Sequence, residues 1–266
     1  MPNIRLAILL AATGVFAFAQ NPEPKLTCDN HDLRMHRLST HCEMKEQTLP
    51  ASKGAISINP GANGGITVKG WDRGDVLVRA RIEGAAPSDS EARNLVSQIR
   101  FASGAGNIEA QGPATDHDHN WTVTYEIFAP HNSDIDAKAH NGGIHMEDLR
   151  GNIRFDSMNG GITLRRLAGD VDGHTTNGGV TIELSGDRWD GRGLEVETTN
   201  GGVKLGIPAT YSAHVEASTT NGGIKTDMPI TIHGRFSNHD LSFDLGTGGA
   251  TVRATTTNGG VKIYNL

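Results

Sequence analysis

The tetrapeptide Asn-Gly-Gly-Ile/Val recurs along the chain, at Asn63, Asn141, Asn159, Asn177, Asn200, Asn221 and Asn258. Asn141, Asn159 and Asn177 stand 18 residues apart; the following steps are 23, 21 and 37 residues, the last about two short repeats. Self-similarity at so short a step constrains the fold more than any single residue does. A unit this small cannot bury an apolar face alone and must stack on its neighbours.

Each copy is followed by an alternating segment: Ile144 and Met146, Ile162 and Leu164, Val180 and Ile182, or Val203 and Leu205. A second alternating segment comes after a small turn, with Ile153 and Phe155, Val171, Leu194 and Val196, or Val215. Period two is the mark of half-buried strands. Each repeat thus offers two short strands with one apolar face each, and stacking them in register encloses a narrow core between two sheets. Strands about 4.8 Å apart would turn the asparagines into a ladder, each amide bonding to the next. The glycine pair permits a sharp corner. Four copies are preceded by two threonines, as in Thr175-Thr176-Asn177, whose hydroxyls can bond along the stack. Glycine-rich turns also cradle phosphates, but that role needs a helix start, and here a strand follows every copy.

The fold class expected is all-β, an elongated β-solenoid-like stack of short strands with Asn-Gly-Gly turns, plus one short helix near residues 88–100. Ser88 and Glu91 form a capping box for that helix, and Ala92, Leu95, Val96 and Ile99 make its apolar stripe. Earlier strands are expected around Ile56–Ile58, Ile66–Val68, Val76–Val78, Ile108–Ala110 and Trp121–Phe128, with Gly84 in a loop. Tyr264-Asn265-Leu266 follows closely on the last Asn-Gly-Gly. That leaves two readings of the C-terminal rung: an open edge, with homo-association as an option, or protection by a folded-back segment.

Residues 1–19 read as a signal peptide: Arg5, an apolar run from Leu6 to Phe18, and Ala17-Phe18-Ala19 as the cleavage site. The apolar run is short for a membrane span, and no later stretch is apolar enough, so no transmembrane segment is expected after cleavage. Residues 20–50 form an N-terminal extension and 51–266 the repeat domain. Cys28 and Cys42 are expected to pair in an oxidising compartment. The competing reading, a metal site with His31, His36 and His41, lacks the paired spacing of structural zinc. With 30 acidic against 24 basic residues and a net charge of −6, there is no electrostatic case for nucleic acid.

No catalytic constellation stands out, and no cofactor or metal is expected. Asp116-His117-Asp118-His119 is the most metal-like cluster, and in a polar loop it reads as a solvated turn. A carbohydrate-active β-helix enzyme would need paired carboxylates from neighbouring rungs; Asp170, Asp172, Asp187 and Asp190 are the candidates, with Asp170 and Asp187 following glycines in turn-like contexts. Calcium-binding nonapeptides place Gly-Gly-x-Gly-x-Asp where this chain has an aliphatic residue. No Gly-x-Ser-x-Gly elbow supports a hydrolase.

Gly65-Ile-Thr-Val-Lys-Gly-Trp71-Asp72, the Glu91–Ile99 helix, Val123-Thr-Tyr-Glu-Ile-Phe-Ala-Pro130 and the Asn-Gly-Gly series ending at Ile263 occur in that order. Over roughly residues 45–266 the chain resembles the secreted bacterial "putative adhesin" family of glycine-rich β-strand-repeat proteins, a domain of unknown function. The resemblance implies an elongated β-solenoid-like fold and a surface or envelope role, and brings no catalytic residues. The expected function is therefore an exported, non-enzymatic envelope or cell-surface protein, periplasmic or extracellular, adhesin-like or scaffolding. It would bind a surface, glycan or protein partner. The polysaccharide-active enzyme is the alternative.

Overall fold

The computed structural model describes residues 26–29, 37–104, 106–228 and 235–266. The signal-peptide reading and His31 and His36 fall outside the described residues. In chain order, β1 (Ser39–Pro50), β2 (Ile56–Asn59), β3 (Ile66–Trp71) and β4 (Asp75–Ala86) precede helix α1 (Asp89–Gln98). Strands β5 (Arg100–Gly104), β6 (Asn107–Gln111) and β7 (Asn120–Pro130) follow it. The repeats supply β8 (Ile135–Asn141) with β9 (Ile144–Glu147), β10 (Arg150–Asn159) with β11 (Ile162–Arg165), and β12 (Ala168–Asn177) with β13 (Val180–Glu183). Next come β14 (Gly193–Asn200) with β15 (Val203–Ile207), and β16 (Ala213–Asn221) with β17 (Ile224–Thr226). The hairpin β18 (Arg235–Phe236) and β19 (Asp240–Leu245) leads to β20 (Thr251–Asn258) and β21 (Val261–Asn265).

Two long sheets result. The ten-stranded sheet A runs β1-β4-β7-β3-β9-β11-β13-β15-β21-β17, and the eleven-stranded sheet B runs β18-β19-β16-β20-β14-β12-β10-β8-β2-β6-β5. Each rung is one longer strand of sheet B, an Asn-Gly-Gly corner, and one short strand of sheet A. Neighbouring rungs are parallel and in register, so Val180 faces Ile162 and Val203, and Ile182 faces Leu164 and Leu205. These side chains are at most 1 % exposed, and together with Ile153, Val171, Leu194 and Val196 from sheet B they fill one continuous core. Burying each contributes roughly 1.5–3 kcal/mol. Volume is matched across rungs: the Phe155 ring lies over Gly173, where a Cβ would come within 2.2 Å of it.

The corners show why the motif needs its first glycine. A Cβ on Gly160, Gly178 or Gly201 would sit 2.0 to 2.1 Å from the carbonyl oxygen of Gly142, Gly160 or Gly178 respectively, one rung away. These three glycines are not in the left-handed region; close approach of stacked backbones, rather than backbone twist, excludes a side chain. Asparagine amides run along the corner: Asn141 Nδ2 donates to Asn63 Oδ1 (3.0 Å), Asn159 to Asn141, Asn177 to Asn159 and Asn200 to Asn177 (2.9 Å each). The first threonine of each Thr-Thr pair is buried and donates to a glycine carbonyl of the adjoining rung, as Thr198 Oγ1 does to Gly178 (2.8 Å) and Thr256 Oγ1 to Gly201 (2.7 Å).

Among the Asn-Gly-Gly rungs, spatial order departs from chain order once. Asn258 donates to Asn200 (2.8 Å) and Asn221 donates to Asn258 (2.8 Å). Strands β20 and β21 are thus inserted between the rung of Asn200 and the rung of Asn221. Of the two readings of the C-terminal rung, the open edge is not the one found: β21 is paired on both sides, with β15 and β17. The outermost strand of sheet A at this end is the three-residue β17, and sheet B ends in the antiparallel β18–β19 hairpin.

At the other end the chain reads differently. Strand β1 pairs antiparallel with β4 along its whole length, from Ser39↔Ala86 to Pro50↔Asp75. The Cys28–Cys42 disulfide, with Cα atoms 5.8 Å apart, fastens the preceding segment to β1. Helix α1 is capped by Ser88, whose Oγ accepts from the Glu91 amide (3.3 Å), and it buries Ala92, Leu95 and Val96. Gly84 does not lie in a loop: it sits in β4 under this helix, and a Cβ there would be 2.8 Å from Val96 Cγ2.

Candidate functional site

In-register stacking lines up the outward side chains into rows running across each sheet. On sheet B one row is Asp136, Arg154, Asp172, Glu195, Arg253 and Glu216. Signs are interspersed: Arg253 donates to Glu216 (2.7 Å) and Glu195 (3.0 Å), and the adjacent acids Asp172 and Glu195 are flanked by Arg154 and Arg253. The Arg253 hydrogen bond holds the Glu216 carboxyl below its ordinary pKa. At the turns between β9 and β10 and between β11 and β12, Asp148 and Arg166 take left-handed conformations (φ 56° and 50°). They meet in a two-pronged ion pair of 2.7 and 2.8 Å that lowers the Asp148 pKa and raises that of Arg166. Such pairs suit a solvated face held in register.

The candidate carboxylates lie on this face and its margin. Asp170 is within β12 rather than in a turn and is ion-paired with Arg192; Asp190 is paired with Arg150. Asp172 belongs to the row above, and Asp187 is in a surface turn, where its carbonyl accepts from the Ser212 amide (2.7 Å). Asp116 folds its own turn: its carboxylate accepts from the backbone amides of Asp118 (2.8 Å) and His119 (2.6 Å), which lowers its pKa. No group of three or more His, Cys, Asp or Glu able to hold a metal ion occurs among the described residues.

Sheet A presents something else. Along it runs the row Thr67, His145, Thr163, Thr181, Lys204, Lys262 and Lys225. Beside its second half lies a groove of about 770 Å³, with a floor of Gly161, Gly179, Gly202, Gly260 and Gly223. These are the second glycines of their motifs, and stacking does not demand them all. A Cβ on Gly161 or Gly179 would be 3.5 Å from its nearest neighbour, ordinary contact, and one on Gly223 would meet nothing. Omitting the side chains keeps the groove open. Along the floor the rungs are tied together, the amides of Ile162, Val180, Val203 and Val261 donating to the carbonyls of Gly179, Gly202, Gly260 and Gly223 (2.9, 2.9, 2.9 and 3.1 Å).

Three lysines stand side by side at one end of this groove: Lys204 faces Lys262, and Lys262 faces Lys225. Lys262 is paired with Asp227 (2.7 Å). Like charges placed directly opposite one another destabilise a sheet, and strands are only about 4.8 Å apart. The signal was present in the sequence: lysine is the second residue after the glycines in the copies at Asn200, Asn221 and Asn258, where Thr67, His145, Thr163 and Thr181 stand in the others.

No helix among the described residues is long and apolar enough to cross a membrane. No curated protein matches the chain. Among solved structures, a putative cell adhesion protein from Clostridium sporogenes is 11 % identical, with 85 % of this chain and 100 % of that chain covered and a TM-score of 0.48. A putative adhesin from Bacteroides fragilis is likewise 11 % identical, covering 84 % and 97 % with a TM-score of 0.38. At such scores neither likeness carries an argument. The sequence match over residues 45–264 does: the chain belongs to the Toastrack DUF4097 family.

Proposed function

We propose that the protein is an exported, non-enzymatic interaction module, adhesin-like in the sense that it binds an envelope or surface partner along the long face of sheet A. The observation that carries this reading is the groove: an extended, side-chain-free floor beside a row of lysines, on a face the stack itself does not require to be so bare. Repeat stacks commonly bind through such extended surfaces. The reading of residues 1–19 as a signal peptide and the Cys28–Cys42 disulfide support export. The carbohydrate-active alternative has less behind it, because Asp170 and Asp190 are each engaged by an arginine.

Two measurements test the reading. Fractionation and N-terminal sequencing of the native protein should find it outside the cytoplasm, beginning at Gln20. Purified protein should co-sediment with intact envelopes of its own cells, and lose that binding when Gly161 and Gly179 are both changed to Val, with a cooperative melting transition kept. Cytoplasmic retention, or envelope binding indifferent to the groove, would defeat it.

A further inference from the structure

We infer that the groove on sheet A takes a linear, carboxylate-bearing polysaccharide, laid across the strands with its acid groups on Lys204, Lys225 and Lys262. The inference rests on the interaction reading above and names its ligand class. Three observations lead to it. First, the lysine row is a local liability: charged neighbours on sheet B are offset by arginines, whereas here, among the described residues, the one ion pair is that of Lys262 with Asp227 beside three adjacent ammonium groups. Departures of this kind concentrate where a chain binds something. Second, the cations are lysines, compact point charges on flexible stems. They are exposed and aligned along the groove at the strand spacing, about 4.8 Å, a repeat on the scale of one sugar ring.

The third observation excludes other polyanions. An extended acidic peptide sets its same-face carboxylates about 6.6 Å apart, out of step with lysines about 4.8 Å apart. A glycan's ring faces can lie on bare glycine backbone while its hydroxyls reach the Thr163 and Thr181 side chains or water. Single-stranded nucleic acid binds through aromatic stacking as well as charge. The groove has no aromatic lining residue, and the whole protein carries a net charge of −6.

Lys262 is partly neutralised by Asp227, so the inference makes a prediction of gain as well as loss. Binding should be measured by calorimetry with polygalacturonate, with its methyl-esterified form, which keeps the rings and loses the charge, and with polyglutamate, which keeps the charge and loses the rings. The full mature protein should bind polygalacturonate and neither of the others. Lys204→Gln with Lys225→Gln should weaken binding about tenfold or more, and Asp227→Asn should tighten it severalfold; all three positions are exposed, so melting midpoints should stay in place. Equal binding of polyglutamate or of the ester would overturn the ligand class. So would indifference to the lysine and Asp227 variants. Failure to bind polygalacturonate while groove-dependent envelope binding persists would sink this inference and spare the interaction role. Loss of both would sink the two together.

Discussion

The two ends of the stack solve the same problem by different means. A parallel pile of rungs leaves unpaired backbone groups at each end, a template for unwanted association. At the N-terminal end the chain changes its construction: long antiparallel strands β1, β4 and β7 continue sheet A, a helix lies on them, and a disulfide fastens the outermost strand. At the other end it keeps the same rungs and alters their order, so that the Asn258 rung lies inside and the Asn221 rung, shortened to three residues in sheet A and covered by a hairpin in sheet B, lies outside. One end is closed by added parts. The other is closed by rearranging the repeats, and is therefore expected to depend far more on a few residues.

The largest effect should come from ending the chain after Gly249. That removes β20 and β21, and with them Val252, Val261 and Ile263, each 1 % exposed or less, each worth roughly 1.5–3 kcal/mol of burial. It also separates the rungs on either side. Thermal melting should lose its cooperative transition. A truncated protein that melted within a few degrees of the full chain would mean that β16 and β17 dock directly on β14 and β15, and the contrast between the ends would fall away.

Next comes Gly201→Val, whose Cβ would meet the Gly178 carbonyl at 2.1 Å where the order changes. Only backbone displacement can relieve that contact, so destabilisation of about 3 kcal/mol or more is expected from denaturant titration. Gly179→Val, with 3.5 Å of room, should cost much less, and equal costs would undo the distinction between the two glycines of the motif. At the N-terminal end, replacing Cys28 and Cys42 with Ser releases a loop of sequence separation 14 and should cost roughly 3 kcal/mol or less, mostly through the unfolded chain. The transition should stay cooperative.

The smallest effect concerns the hairpin at the far end. His214 on β16 bonds to Asp244 on β19 at 2.7 Å, with Glu216 at 3.3 Å and Ser242 at 3.4 Å. The Asp244 hydrogen bond raises the imidazole pKa above its ordinary value. A raised histidine stabilises fully below its unfolded pKa, about 6.5, and loses that contribution as pH rises through the folded value. The melting midpoint should therefore fall slightly between pH 6 and 8, and His214→Gln should remove that slope. The pair is partly exposed, so screening keeps the shift small. A slope unchanged in the variant would assign it to other groups.

Much of this was legible beforehand because it is periodic. Alternation of Val180 and Ile182, or Leu194 and Val196, places strands and their inward faces, and the asparagine ladder follows once strands stack in register. The capping box at Ser88 and Glu91 and the proximity of Cys28 and Cys42 are equally local signals. Order was not legible. The corners at Asn200, Asn221 and Asn258 are nearly identical, so each can dock on any other, and the choice lies in the antiparallel pairing of Val215 with Phe243 and Ser218 with Asp240, which no repeat pattern announces. Gly84 reads as loop in Glu83-Gly84-Ala85-Ala86 because the reason for small residues there is a helix packed above. The lysine row is legible only once the copies are aligned on their glycines: Lys204 and Lys262 are 58 residues apart in sequence, and in-register stacking alone makes them neighbours.

The inserted rung has a consequence in time as well as in space. Rungs up to Asn200 can add one by one as the chain emerges, each on a finished template. Beyond that point β16 and β17 reach their final neighbours only when residues 251–265 have appeared and slipped between. The last step closes a non-local pairing, the slow kind, and it closes both sheets at once. That step also sets Lys262 beside Lys204, so the charged end of the groove is the last part of sheet A to be assembled.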